Sequence, residues 1–82
     1  MKGKRVYKDK DGDLLLASGD YGKDVNGDWL ARSPKGHHGN LRNHTVIEHD
    51  DKTITVSPSI LIKEIKGSSY HGYLEKGIWR EC

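Results

Sequence analysis

Short runs of β-branched residues alternate with polar positions in the middle of the chain. The clearest runs are 45–47 (Thr-Val-Ile) and 53–56 (Thr-Ile-Thr-Val). Alternation with a period of two is typical of a strand that has one buried face. The pattern predicts that Val46, Ile54 and Val56 face the core.

Acidic corners separate these runs and recur in the first half of the sequence. Residues 8–15 (Lys-Asp-Lys-Asp-Gly-Asp-Leu-Leu) are echoed by residues 23–30 (Lys-Asp-Val-Asn-Gly-Asp-Trp-Leu). Asp-Gly and Asn-Gly favour type I′ hairpin turns, which need positive φ at both central residues. Each copy is predicted to be such a turn leading into a strand.

Similar corners at 49–52, 66–69 and 75–77 give a strand about every ten residues. This rhythm predicts one all-β domain over residues 1–82, a small antiparallel sheet, barrel or sandwich of successive hairpins with about six to seven strands. One short helix near Ser57–Lys66 is the alternative for that segment, with Ser57 as its N-cap. We favour a strand there because isoleucine occupies positions 60, 62 and 65.

The segment 33–40 has no periodicity and is rich in Gly and polar residues, so it is predicted to be a loop. Loops carried by a rigid sheet are common binding sites. The predicted ligand- or partner-binding residues in and beside it are Arg32, Lys35, Gly36, His37, His38, Asn40 and Arg42.

The composition describes a mildly basic protein with a small core. Lys and Arg number 14 against 12 Asp and Glu, for a net charge of +2, and hydrophobic residues make up 33%. The single cysteine, Cys82, cannot close an intrachain disulfide, and no apolar run of signal-peptide length follows the basic start. We therefore expect a cytoplasmic protein with no membrane contact, and a small core makes a homo-oligomer an open alternative.

Nucleic-acid or nucleotide binding also stays open. The start of the chain is basic, and four aromatic residues offer stacking surfaces. The residues concerned are Lys2, Lys4, Arg5, Lys8 and Lys10, with Trp29, Tyr70, Tyr73 and Trp79. Burial in the core is the favoured interpretation of the two tryptophans.

No metal or cofactor is expected. The two acidic corners resemble the start of a calcium loop, but they lack the glycine at its sixth place and the glutamate at its twelfth. Five histidines could supply imidazole ligands, at positions 37, 38, 44, 49 and 71, but their spacing matches no known metal motif.

A nucleophilic serine needs an imidazole to take its proton and a carboxylate to orient that imidazole. The sequence supplies these residue types without a Gly-x-Ser-x-Gly motif. The candidate set is Ser57, Ser59, His44, His71, and Glu48 or Asp50.

The stretches Thr53–Ile60 and Tyr70–Trp79, with Trp29–His37 and Leu41–Val46, resemble a family of small bacterial and phage domains of unknown function. Some relatives occur beside bacterial ubiquitin-like conjugation genes and are suspected peptidases. The resemblance implies Ser59 as nucleophile, His71 as base and His44 in support. Larger relatives carry cysteines near the positions of Ser33 and Ser69, which suggests a metal or thiol feature that this chain lacks.

From these observations we predict a phage-type accessory binding protein. Its partner is predicted to be a host protein or a small anionic ligand, and inhibition of a host-defence component is one form of this function. The alternative is a serine hydrolase or peptidase that uses Ser59 and His71. We favour binding over catalysis because so short a chain leaves little room for a substrate cleft.

Overall fold

The computed structural model describes residues 1–63 and 69–82 and, within them, seven strands in two antiparallel sheets. This confirms the all-β prediction, and the two sheets do not close into a barrel. The smaller sheet has the order β1-β2-β3 and the larger has the order β4-β5-β6-β7. The strands are β1 Tyr21–Lys23, β2 Trp29–Arg32, β3 His38–Asn40, β4 Thr45–Glu48, β5 Ile54–Lys63, β6 Ser69–Glu75 and β7 Ile78–Glu81.

β3 corrects the prediction of a loop over residues 33–40. It pairs with β2, and Gly39 lies opposite Ala31. A Cβ atom at Gly39 would come within 2.9 Å of the Ile62 side chain, so close packing requires glycine there. The strand therefore lacks the apolar side chain that would have marked it in the sequence.

β5 confirms the strand interpretation of the segment after Ser57. Ile60 and Ile62 are buried on the same face as Ile54 and Val56, and the pairing with β6 shifts register between Val56 and Ile60. The residues 64–66 of the alternative helix, including Ile65, lie outside the described residues, as do residues 67 and 68 of the predicted corner.

Four five-residue turns in the described part of the chain share one pattern of backbone hydrogen bonds. The first N–H donates to the fifth carbonyl, and the fourth N–H donates to the first carbonyl, in the segments 9–13, 24–28, 33–37 and 49–53. The prediction of type I′ turns is wrong, because positive φ occurs at the fourth residue and not at Asp11 or Asn26. A three-residue hairpin loop needs only one left-handed residue, which glycine supplies at 12, 27 and 36.

The first six residues join the two sheets. Gly3 N donates to Gly77 O at 2.7 Å, and Val6 N donates to Tyr21 O at 2.8 Å. Residues 1–6 therefore run between β7 on one side and β1 on the other. The sequence did not reveal this role, since the segment carries no strand-like alternation.

The core lies beneath the four-stranded sheet and is closed by aromatic residues. Trp79 is 2% exposed, its Nε1 donates to Gly19 O at 2.8 Å, and its ring meets Tyr70 edge to face at 5.5 Å. The prediction of a core tryptophan is confirmed for Trp79, whereas Trp29 is only partly buried. No helix in the described residues is long and apolar enough to cross a membrane.

Candidate functional site

The predicted nucleophile and base lie within hydrogen-bond distance. Ser59 Oγ is 3.0 Å from His71 Nε2, on the outer face of the larger sheet. Ser59 occupies the irregular part of β5 and His71 lies on β6 opposite Leu61. His44 approaches from the side, with Nε2 3.1 Å from the Ser59 carbonyl oxygen and with a buried Nδ1 that has no partner among the described residues.

Among the described residues, no carboxylate orients this pair. Within residues 1–63 and 69–82, no Asp or Glu contacts the His71 ring, and the candidate Glu48 instead accepts a hydrogen bond from Arg5 at 2.6 Å. Ser57 is exposed on the same strand, and the hydrogen bonds of the His44 and His71 rings go to Ser59 instead. The pair is also solvent-exposed, so it lacks the enclosed surroundings that strengthen catalytic electrostatics.

The predicted binding residues around the turn 33–37 serve to hold the fold together. Arg32 Nε donates to Gly36 O and Arg32 Nη1 donates to Leu16 O, both at 3.0 Å. Lys35 Nζ lies 2.9 Å from Glu81 Oε2. The cations of this turn are therefore already partnered within the protein.

The remaining predicted binding residues are also accounted for by local structure. Arg42 forms an ion pair with Asp28 at 3.2 Å, and Asn40 Oδ1 accepts a hydrogen bond from the Arg42 N–H at 3.3 Å. The backbone N–H of His37 donates to Ser33 Oγ at 3.1 Å, while the neighbouring His38 is exposed. This region does not gather its polar groups around a cavity.

A different surface gathers cations around an open cleft of about 630 Å³. We call this surface the basic cleft. Three separate segments build it: the bridging residues 1–6, the turn 49–53, and the turn at 76–77 between β6 and β7. Its charged lining residues are Lys2, Lys4, Arg5, Lys52, Lys76 and Asp51.

The cleft lysines form no ion pair with the residues that the structure describes. Within the described residues, ion pairs join Arg5 to Glu48, Lys35 to Glu81, Arg42 to Asp28, and Arg80 to Glu75, and none involves a lysine of the cleft. The five cations of the lining face one lining carboxylate, Asp51. The local field is therefore more positive than the net charge of +2 indicates.

Two of these lysines occupy backbone positions that disfavour side chains. Lys52 has φ 75° and Lys76 has φ 48°, and they are the non-glycine residues with positive φ in the described chain. A left-handed conformation costs a residue with a Cβ roughly 1–2 kcal/mol. At the position of Lys52, the three other turns of the same pattern carry glycine.

Thr55 fixes the two lysine-bearing turns relative to each other. Its Oγ1 accepts a hydrogen bond from Lys76 N at 3.0 Å and lies 2.7 Å from His49 Nε2, at the start of the other turn. The Gly77 N–H also donates to Ile54 O at 3.0 Å. Both turns are thus attached to β5, so the cations they carry are held on one rigid strand.

The carboxylates near the cleft stay ionised. The hydrogen bond from Arg5 lowers the pKa of Glu48, and side-chain and backbone hydrogen bonds from Thr53 lower the pKa of Asp51. Burial raises the pKa of the Tyr21 hydroxyl, which Asp51 raises further. At neutral pH the Tyr21 phenol is therefore neutral, while Glu48 and Asp51 are charged.

Aromatic rings border the cleft beside Arg5. The Arg5 guanidinium lies 4.7 Å from the Tyr7 ring centroid and 4.5 Å from that of Trp29. Lys23 Nζ is 5.2 Å from the Trp29 ring. Tyr7 remains 60% exposed, so its ring is available to solvent.

The histidines do not form a metal site in the described part of the chain, where no group of three or more His, Cys, Asp or Glu side chains could hold an ion.

The chain matches no protein-family model, no curated protein and no solved structure.

The sequence pattern indicates only part of the basic cleft. It singled out Lys2, Lys4 and Arg5 as a basic start, but it did not connect them with Lys52 and Lys76. The available signal was the lysine at the fourth place of a turn that elsewhere uses glycine. This signal can be seen only when the turns are aligned as five-residue turns with a left-handed fourth residue, and the prediction of type I′ turns gave a different alignment.

Proposed function

We propose that the protein is a small binding module that holds an anionic ligand in the basic cleft. Of the two partner classes predicted from the sequence, the charge distribution favours the anion. The proposal moves the binding site from the turn 33–37 to the surface formed by residues 1–6, 49–53 and 76–77. Inhibition of a host-defence component stays a prediction that rests on the family resemblance.

The observation that carries this proposal is the placement of Lys52 and Lys76. Both lysines adopt left-handed conformations in which glycine would be less strained, and neither has an ion pair within the described residues. Strain kept at a site is a reason to look for function there. A cation that costs stability and forms no ion pair among the described residues is best explained by a ligand outside the chain.

Lys52→Gly tests the proposal with tripolyphosphate as the probe, titrated by isothermal calorimetry. Relief of the left-handed strain, less the extra entropy of glycine in the unfolded chain, should raise the free energy of unfolding by roughly 0.5–1 kcal/mol. Loss of one exposed charge should weaken tripolyphosphate binding about two- to fivefold. A more stable protein that binds less tightly cannot be explained by unfolding.

Lys63→Ala is the matched control, because Lys63 is an exposed lysine at the end of β5 and does not line the cleft. It removes the same charge and should leave tripolyphosphate affinity within about twofold of the parent. The proposal fails if the parent protein does not bind tripolyphosphate. It also fails if Lys63→Ala weakens binding as much as Lys52→Gly.

The second candidate function is serine hydrolysis, favoured by the 3.0 Å separation of Ser59 Oγ and His71 Nε2. In this scheme His71 takes the Ser59 proton while Ser59 Oγ attacks an acyl or phosphonyl centre and displaces its leaving group, which is fluoride in a fluorophosphonate; with an acyl substrate, water then hydrolyses the acyl-serine ester. A fluorophosphonate probe should label the parent chain at Ser59, and Ser59→Ala should abolish labelling. An unlabelled, folded parent protein would remove this candidate and leave the binding module untouched.

A further inference from the structure

We infer that the anionic ligand is a single-stranded nucleic acid, with its phosphates in the basic cleft and an unpaired base stacked on Tyr7. This inference rests on the proposed function, because it names the ligand class of the same site. It goes beyond that function by adding a second recognition element, an exposed aromatic ring beside the cations.

The shape of the surface favours a chain over a compact anion. Two further depressions, of about 350 and 560 Å³, adjoin the basic cleft and share Lys76 with it. The first also shares Asp51 and Thr53 with the cleft and adds Asp50, and the second contains Arg80, which is paired with Glu75. Lys76 thus lies where the three depressions meet, and an extended open surface of this kind suits a strand better than one isolated phosphate.

The aromatic border favours a nucleic acid over an acidic peptide. Arg5 is held between Tyr7 and Trp29, and it is anchored by Glu48, so its side chain is only 11% exposed. This arrangement fixes the Tyr7 ring at the edge of the cleft while leaving the residue 60% exposed. A base can stack on an exposed ring next to bound phosphates, whereas a carboxylate side chain has no planar group of that size.

The strand must be single because stacking on Tyr7 requires a base that is free of its partner. Non-specific single-strand binding combines a cationic groove with aromatic stacking platforms and tolerates any base sequence. The described residues supply both parts on one side of the molecule, at the junction of residues 1–6 with β1 and β7.

The test is fluorescence anisotropy with a labelled oligothymidylate of about twelve nucleotides, measured from about 50 to about 200 mM salt. Log affinity should fall with log salt by about 0.7 for each phosphate contact, and Lys52→Gly should reduce that slope by about the same amount. Competition with thymidine monophosphate, tripolyphosphate, polyglutamate and the annealed duplex compares the ligand classes directly.

Tyr7→Ala separates this inference from the proposed function. It should weaken oligothymidylate binding about tenfold and leave tripolyphosphate binding unchanged, while Tyr7→Phe, which keeps the ring, should bind as the parent does. Circular dichroism of Tyr7→Ala checks that the sheet is intact.

The other outcomes each overturn a definite claim. If Tyr7→Ala binds oligothymidylate normally, or if polyglutamate or duplex competes as well as the single strand, the nucleic-acid inference fails and the anion-binding function stands. Equal affinity for thymidine monophosphate would identify a free nucleotide as the ligand and overturn the single-strand claim. If neither tripolyphosphate nor the oligonucleotide binds, both proposals fail together.

Discussion

The turns 33–37 and 49–53 have the same backbone hydrogen bonds but use their cations differently. The fourth N–H donates to the first carbonyl at 2.8 Å in one and at 3.0 Å in the other. In the first turn, Gly36 takes the left-handed position, and Arg32 and Lys35 bind groups of the protein itself. In the second turn, Lys52 takes that position and forms no ion pair among the described residues. The difference separates cations that stabilise the fold from cations that remain available to a ligand.

The largest expected effect comes from the core that packs beneath the sheets and not from either turn. Trp79→Ala deletes a buried ring and the hydrogen bond to Gly19 O, so it should lower the free energy of unfolding by about 3–5 kcal/mol. That loss is comparable to the whole stability of a small domain. Urea unfolding followed by tryptophan fluorescence of Trp29 measures it, and a loss below about 1 kcal/mol would contradict the assignment of Trp79 to the core.

Arg32→Ala should weaken the first turn without affecting the ligand. Its guanidinium donates to two backbone carbonyls, Leu16 O and Gly36 O, and their loss should cost roughly 2 kcal/mol. Tripolyphosphate affinity should stay within about twofold of the parent, since Arg32 is not part of the basic cleft. Thermal unfolding and calorimetry on the same sample test both halves, and a large loss of affinity would return the binding site to the turn 33–37.

Gly36→Lys places the lysine of the second turn into the first. The space around a Cβ at Gly36 is ordinary, with Ser18 Oγ at 3.5 Å, so the cost arises from φ +90° and should be roughly 1–2 kcal/mol. The new charge should not raise tripolyphosphate affinity. Thermal unfolding should show a lower melting temperature for Gly36→Lys and a higher one for Lys52→Gly. If both variants changed the melting temperature in the same direction, the two turns would not be equivalent in backbone strain.

The smallest expected effect concerns acid. Because Arg5 depresses the folded-state pKa of Glu48, the pair stabilises the fold above the unfolded-state pKa, and this contribution is lost as pH falls through the lower folded-state value. Glu48→Gln should therefore reduce the fall in melting temperature between about pH 5 and about pH 3. Part of the acid sensitivity should remain in this variant, because the pKa of Asp51 is also lowered. If melting temperature depends on pH in Glu48→Gln as it does in the parent, groups other than Glu48 cause the whole effect.

The sequence was sufficient to predict the fold class because the period-two alternation survives in the long strands. Val56, Ile60 and Leu74 are buried where the pattern of apolar residues is regular, and Ser59 and His71 face the same side of adjacent strands. The family resemblance implies only their roles as nucleophile and base, and the pairing of β5 with β6 is what brings the two side chains together.

The basic cleft could not be predicted because its parts are far apart in the chain. Gly3 and Gly77 are joined by a backbone hydrogen bond, and a contact of this kind requires no particular side chains that could be recognised in the sequence. Lys52 and Lys76 look like ordinary surface lysines unless their φ angles are known. β3 was missed for a related reason. Close packing of Ile62 requires glycine at position 39, so this strand lacks the apolar side chain by which a strand is recognised in a sequence.

The bridge formed by residues 1–6 has a consequence for the order of folding. The partners of Met1 and Gly3, at Trp79 and Gly77, are more than seventy residues away, so this end of the bridge stays unpaired until those positions have left the ribosome, whereas Val6 pairs with the nearby Tyr21. Hairpins such as β1-β2 and β6-β7 close locally, and the final long-range closure should set the folding rate. Because this closure also brings Lys2, Lys4 and Arg5 to Lys76, the basic cleft can form only after residue 76 has been synthesised.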